Sequence, residues 1–255
     1  MYVMGDVHGQ YAKVVTVLQG AGLIDQRLAW NGGTNHLWFL GDFVDRGPDG
    51  LGVIDLVMRL QGEAAQDGGV VGALLGNHEP LLLAARLFAD HPAGGPGGTF
   101  LRDWELNGGI AGDLAGLTDR HIEWLVGLRH MVHLDGRLFV HADALFYCRY
   151  GQTADEVNAA MGRVLQSDDP AVWDQLLGDF SERNAFLDGG ADAARKFLAT
   201  YGGRQIVHGH TPIHRMAGQR ADEVRAPYVY ADGLCINFDG GMNSGGPGFV
   251  GWLEP

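Results

Sequence analysis

One recurring feature constrains this chain more than any other: short apolar runs stop abruptly at a glycine or histidine that opens a turn rich in Asp, His and Asn. Tyr2 to Met4 stops at Gly5-Asp6-Val7-His8-Gly9, His36 to Leu40 at Gly41-Asp42-Phe43-Val44-Asp45-Arg46-Gly47, and Val70 to Leu75 at Gly76-Asn77-His78-Glu79. Arg137 to Val140 leads into His141-Ala142, and Gln205 to Val207 into His208-Gly209-His210-Thr211-Pro212. Runs this short, bounded by turn residues, predict core strands. The glycines at their ends suit tight turns and close backbone approach.

Between these runs, helical spacing covers Tyr11 to Leu18, Gly50 to Leu60, Pro80 to Phe88, His121 to Leu128, Ala154 to Leu165 and Ala191 to Tyr201. Strand-loop-helix alternation through the first part of the chain predicts βαβ units and a parallel sheet. Tyr228 to Ala231, Leu234 to Phe238 and Phe249 to Leu253 are separated by turn residues and predict antiparallel strands of a second sheet. Ala93-Gly94-Gly95-Pro96-Gly97-Gly98 reads as a flexible loop inside the domain, with a linker as the alternative. With 255 residues, one domain over 1–255 is expected, with helical insertions at about 80–130 and 150–202.

The formal charge of −13 disfavours electrostatic capture of nucleic acid or of an anionic membrane, so a phosphorylated ligand must be attracted locally. Cys148 and Cys235 lack CxxC spacing, which argues against a disulfide framework and a thiolate zinc site. The first motif begins at once and no run of about 18 apolar residues occurs, so a cytoplasmic location is expected.

In open α/β sheets ligands collect at the carboxyl ends of strands, and here five runs end in a residue able to bind metal. Carboxylate, imidazole and amide oxygen form a donor set suited to manganese, iron or zinc. Each piece alone has an ordinary explanation: a solvated turn, a helix cap at Asn77, a core histidine at His141 or His210. Five in order, each after an apolar run, have none.

These motifs resemble those of the calcineurin-like metallophosphoesterases, in particular the phosphoprotein phosphatase type and its bacterial and bacteriophage branch of serine/threonine phosphatases. The resemblance covers residues 5 to about 240 and implies a four-layer α-β-β-α sandwich of two mixed sheets flanked by helices. It further implies that Asp6 and His8 hold one divalent cation, that Asp42 bridges two, and that Asn77, His141 and His210 complete the second, with manganese the first choice and iron or zinc possible alternatives. His78 would protonate the leaving alkoxide with Asp45 as its partner, because an adjacent carboxylate fixes the ring. Arg46 would grip phosphate oxygens through its planar guanidinium. A second arginine is expected, with Arg183 ahead of Arg149.

The activity so implied is hydrolysis of phosphomonoesters, on phosphoserine and phosphothreonine in proteins, by direct attack of a metal-bound hydroxide. A symmetrical bis(5'-nucleosyl)-tetraphosphatase or another small-molecule phosphoesterase is the alternative, and a phosphate-binding sensor without turnover is a remote one. Ala142-Asp143-Ala144 departs from the family's glycine-containing pattern after His141, so Asp143 is expected to repel phosphate or to bind metal. Glu79 reads as complementing its helix's first turn, Trp104, Trp124 and Trp173 as core, and His208 as packing beneath the metal-bearing loop.

Overall fold

Residues alternate in facing along the strands, and both faces are apolar. In the computed structural model, which describes residues 1–254, Val3, Phe139, Val207 and Ile236 join one buried cluster, with Trp38 packed against it. Their chain neighbours Met4, Leu37, Phe39, Leu138, Val140, Ile206 and Cys235 belong to another. Strands buried on both faces need continuous apolar runs, which is why the runs in this sequence do not alternate with polar residues.

The first sheet holds β1 (Tyr2–Met4), β2 (His36–Phe39), β3 (Val70–Ala73) and β9 (Gly251–Trp252) in the order β3-β2-β1-β9. The second holds β4 (Met131–Leu134), β5 (Arg137–Val140), β6 (Gln205–His208), β7 (Tyr228–Tyr230) and β8 (Cys235–Asn237) in the order β4-β5-β6-β8-β7. Both are mixed: β1, β2 and β3 run parallel, as do β5, β6 and β8, while β9, β4 and β7 are antiparallel to their neighbours. The sheets meet face to face, with the Trp38 and Phe139 rings 6.3 Å apart across the gap.

Helices cover the outer faces because their apolar positions recur at three and four. Val53, Val57, Leu60 and Ala64 are buried along Gly50–Gln66, and Val157, Met161 and Leu165 along Ala154–Leu165. Asp49 and Thr153 cap these helices through their side chains. The architecture is the expected four-layer sandwich.

Three local expectations are corrected. The last strand joins the first sheet, antiparallel to β1, rather than the second. The hairpin strand β4 was not anticipated, although Asp135 and Gly136 both take positive φ in the turn before β5, as an Asp-Gly hairpin requires. The glycine-rich stretch is an anchored loop, not a linker: Gly94 N donates to Asp174 Oδ1 at 2.9 Å and Gly97 N to Asp103 Oδ1 at 2.6 Å.

His130, just before β4, is buried with its Nδ1 unpartnered, and burial pushes its pKa down to about 3. The unfolded chain takes up a proton near pH 6.5 that the folded chain refuses, so His130 costs stability as pH falls from about 6.5 toward 3. Urea unfolding between pH 6.5 and 4.5 should show His130→Leu flattening that decline by up to about 1.4 kcal/mol per pH unit; parallel slopes for the two proteins would refute it.

Candidate metal centre

The parallel strands bring their carboxyl ends to one place, and the loops that leave them are held in backbone shapes that side-chain-bearing residues seldom adopt. His8, Asp42, Asp45, Arg46 and His210 all have φ between 44° and 68°. Such strain persists only where surrounding bonds over-determine it, and it concentrates at functional sites. Glycine makes room beside them: a Cβ on Gly76 would lie 2.1 Å from Asp42 Oδ1, and one on Gly209 2.3 Å from Asp6 Oδ1.

Backbone carbonyls set the imidazoles. His8 Nδ1 donates to the Val44 carbonyl at 3.1 Å and His141 Nδ1 to the Leu40 carbonyl at 2.8 Å, which leaves each Nε2 lone pair facing the centre. His8 Nε2 lies 3.6 Å from Asp42 Oδ2 and 4.0 Å from Asp6 Oδ2. His141 Nε2 lies 3.5 Å from Asp42 Oδ1 and 3.1 Å from Asn77 Oδ1, and His210 Nδ1 lies 2.9 Å from that same amide oxygen. Ligand atoms of His8, Asp42 and His78 fall within 4.8 Å of one another, as do those of Asp42, His141 and His210, so Asp42 belongs to both groups. All six expected metal ligands are therefore brought together, with Asp6 outside both close groups and 4.0 Å from His8 Nε2.

The electrostatics of the donor set fit cations. Burial, with Asp239 and Asp42 nearby, pushes Asp6 well above the usual carboxylate range, and burial beside Asp42 pushes Glu79 up to about 8. Burial likewise lifts Asp239 to about 7. Asp42 resists the same burial because His141, His78 and His8 surround it, and its pKa falls well below the usual value. Burial first, with the Arg46 guanidinium beside His8 and the Arg183 guanidinium beside His210 adding to it, pushes both imidazoles well below their usual value and favours the neutral form that binds metal. Four buried carboxylates at one point are costly without compensating charge, which divalent cations between them would supply.

His78 stands beside the ligands. Its Nδ1 donates to Asp45 Oδ2 at 2.7 Å, and Asp45 Oδ1 accepts from Trp104 Nε1 at 2.8 Å. Both carboxylate oxygens of the buried Asp45 are thus taken, which fixes the His78 ring. Trp104 is core, as expected, and also a donor to this pair. Arg46 is held at its backbone by Gly108 O at 2.7 Å, and its Nη1 donates to His8 Nε2 at 2.8 Å. That contact and a cation on His8 Nε2 would use the same lone pair, so they exclude each other.

Arg46 and Arg183 line one cleft of about 360 Å³ together with Asp42, Asn77, His78 and His210. Arg149 is tied to Asp179 instead, so of the two candidates Arg183 is the one that reaches the centre. Asp143 does not face the centre, contrary to the expectation. It is fully buried, its Oδ2 accepts from Asn184 N at 2.8 Å and its Oδ1 from the Thr211 hydroxyl at 2.6 Å. It pins the loop carrying Arg183 to the loop carrying His210.

Glu79 is likewise more than a helix-end charge. Fully buried, it accepts from the backbone N–H groups of Asp42, Phe43 and Gly76 at 3.0, 2.7 and 2.8 Å. Asp239 was missed, although the run before Asp239-Gly240 ends as the five others do. His208 packs beneath its loop as expected, its Nε2 2.7 Å from the Tyr230 hydroxyl.

Residues 1–214 match the calcineurin-like phosphoesterase family, and the chain belongs to it. Among curated proteins, the chain is 35% identical over 79 residues to Shewanella-like protein phosphatase 2 of Arabidopsis thaliana, covering 31% of this chain and 20% of that protein. It is 40% identical over 83 residues to the symmetrical bis(5'-nucleosyl)-tetraphosphatase of Erwinia tasmaniensis, covering 32% of this chain and 25% of the other. Among solved structures, a cold-active protein-tyrosine phosphatase of a psychrophilic Shewanella species superposes with a TM-score of 0.72 at 21% identity, over 98% of this chain and 73% of that one. A protein serine/threonine phosphatase from Saccharomyces cerevisiae superposes at 0.56 with 17% identity, over 92% and 65%. These two likenesses establish the fold.

Replacing Glu79 by Leu removes the acceptor shared by the backbone N–H groups of Asp42, Phe43 and Gly76. Manganese affinity measured by calorimetry should fall ten- to a hundredfold, the usual cost of losing an outer-shell partner. Unchanged affinity would show that the Asp42 loop holds its shape without Glu79.

Proposed function

We propose that the protein hydrolyses phosphomonoesters with the help of two divalent cations, and that phosphoserine and phosphothreonine in proteins are its substrates. The observation that carries this reading is the convergence of His8, Asp42, Asn77, His141 and His210 beside the braced His78–Asp45 pair. A cation pair held there would supply positive charge to the phosphoryl oxygens and acidify a bound water. Asp6 and His8 would hold one cation and Asn77, His141 and His210 the other, with Asp42 common to both; manganese is the first candidate, iron and zinc the alternatives.

The chain's own residues then divide the work. Arg46 and Arg183 grip the oxygens that do not react, as paired guanidinium donors can. His78 gives its Nε2 proton to the departing alkoxide, since its Nδ1 is committed to Asp45. Trp104 keeps Asp45, and through it the ring, in place.

A second reading is hydrolysis of symmetrical dinucleoside tetraphosphates, favoured by the relative that carries that name at 40% identity. No helix among the described residues is long and apolar enough to cross a membrane.

Rates on phosphoserine, phosphothreonine and phosphotyrosine peptides, diadenosine tetraphosphate and p-nitrophenyl phosphate, with manganese, rank the readings. The first proposal predicts the highest kcat/KM on the phosphoserine or phosphothreonine peptide; a preference for the dinucleotide transfers the assignment to the second. In both, Asp42→Asn should lose metal and activity together, whereas His78→Asn should retain metal by mass spectrometry and turn over about 10²–10⁴ times more slowly. Full activity of Asp42→Asn would refute both.

A further inference from the structure

Three guanidinium groups line the cleft over the centre, and the roles above use two. Arg215 lies on the short helix Ile213–Met216 that follows His210-Thr211-Pro212, is exposed, and lines the same cleft as Arg46 and Arg183. Among the described residues no carboxylate pairs with it, whereas Arg149 and Arg220 are tied to acidic partners. One phosphoryl group gripped by Arg46, Arg183 and two cations leaves a third guanidinium without an anion.

The surroundings of Arg215 are built, not incidental. Asn243 and Ser244 line the cleft with it, and the Ser244 hydroxyl has only a long 3.5 Å contact, to Asn243 Oδ1. The loop presenting them is braced at several points. Gly241 N donates to Asp239 Oδ1 at 2.9 Å, Gly246 N to the Gly241 carbonyl at 2.9 Å, and the half-buried Lys13 Nζ to the carbonyls of Met242 and Gly246 at 2.6 and 2.8 Å. Lys13 lies on the helix that follows the Asp6–Gly9 loop, so the same helix abuts both the metal loop and the cleft loop.

A neighbouring groove of about 400 Å³ shares Asn77, Asn107 and Arg183 with the cleft but carries Asp103 and Asp174. The space beside the centre is therefore cationic toward Arg215 and acidic toward Asp174. A second anion on a substrate is directed to the Arg215 side.

We propose that Arg215, Asn243 and Ser244 form a second anion subsite that takes a further phosphoryl group of the same substrate molecule, and that Lys13 is a positioning residue holding the Asn243–Ser244 loop. The proposal rests on the phosphoesterase reading of the centre. It names a chemistry the walls of the cleft select, beyond the phosphoryl group that reacts.

The test uses p-nitrophenyl phosphate as reporter with excess manganese, and AMP and ADP as competitors that differ by one phosphoryl group. ADP should compete about tenfold better than AMP, the effect of one charge-assisted hydrogen bond, and Arg215→Ala should remove that advantage. Lys13→Met should reduce it and Lys13→Arg restore it. A peptide with two neighbouring phosphoserines, compared with its singly phosphorylated form, shows whether the second group is also accepted from a phosphopeptide; the pair with the larger Arg215-dependent ratio identifies the source. Equal competition by AMP and ADP on the native protein, together with no preference for the doubly phosphorylated peptide, overturns the proposal. So does an ADP advantage that survives Arg215→Ala, or an equal loss for AMP and ADP, which would put Arg215 on the reacting group. If the native protein leaves p-nitrophenyl phosphate intact, the phosphoesterase reading fails instead, and AMP and ADP titrations by calorimetry then decide the subsite alone.

Discussion

The centre depends on one buried carboxylate that touches no substrate. Glu79 sits at the start of the helix after β3 and reaches across to the loop after β2, where it accepts from the backbone of Asp42 and Phe43, while also accepting from Gly76 on its own side. A single side chain thus joins two strand ends. The Asp42 backbone lies in the left-handed region and its carboxylate packs where Gly76 lacks a Cβ, so the loop has little intrinsic reason to hold that shape. Hydrogen bonds to a fully buried acceptor supply the reason, since breaking them would leave charged or polar groups without partners.

Asp143 teaches the same lesson from the other side of the centre. By sequence it is an added negative charge next to a ligand; in space its oxygens are consumed by Asn184 N and the Thr211 hydroxyl. An acid so committed anchors the loop behind Arg183, and His141, two residues before it, is free to face Asn77. Asp143 supports the Arg183 loop and leaves the donor set intact.

What was legible in the sequence was what depends on local pattern. Asp6, His8, Asp42, Asn77, His141 and His210 stood out because each ends an apolar run, and a strand end is a place as well as a motif. Asp239 obeys the same rule after β8, but an antiparallel tail does not carry its strand end to the others, whereas β8 runs parallel to β6. Glu79 left no signature because its partners are backbone N–H groups, present at every residue. Trp104 was legible as core by its helical position, but its bond to Asp45 joins residues 59 apart. The pairing of β9 with β1 spans nearly the whole chain, and no local pattern distinguishes it from pairing with β8.

The layout also separates chemistry from selection. The ligands come from the strand ends of both sheets, which the core fixes, whereas the cleft walls come from the helical segments and loops between strands: Leu106, Asn107 and Gly108 after β3, Arg183 after β5, Arg215 after β6, Asn243 and Ser244 after β8. The walls are tied to the strand-end loops and the helix after β1 by side-chain bonds such as those of Asp143 and Lys13. Relatives bearing the names of a protein phosphatase and of a dinucleotide hydrolase both match part of this chain, and the substrate has to be argued from the charges on the walls rather than from the fold. In this chain Arg215 stands at one end of those walls and Asp103 and Asp174 at the other, with Arg183 shared between them, an asymmetry that orients any substrate carrying charge beyond its reacting group.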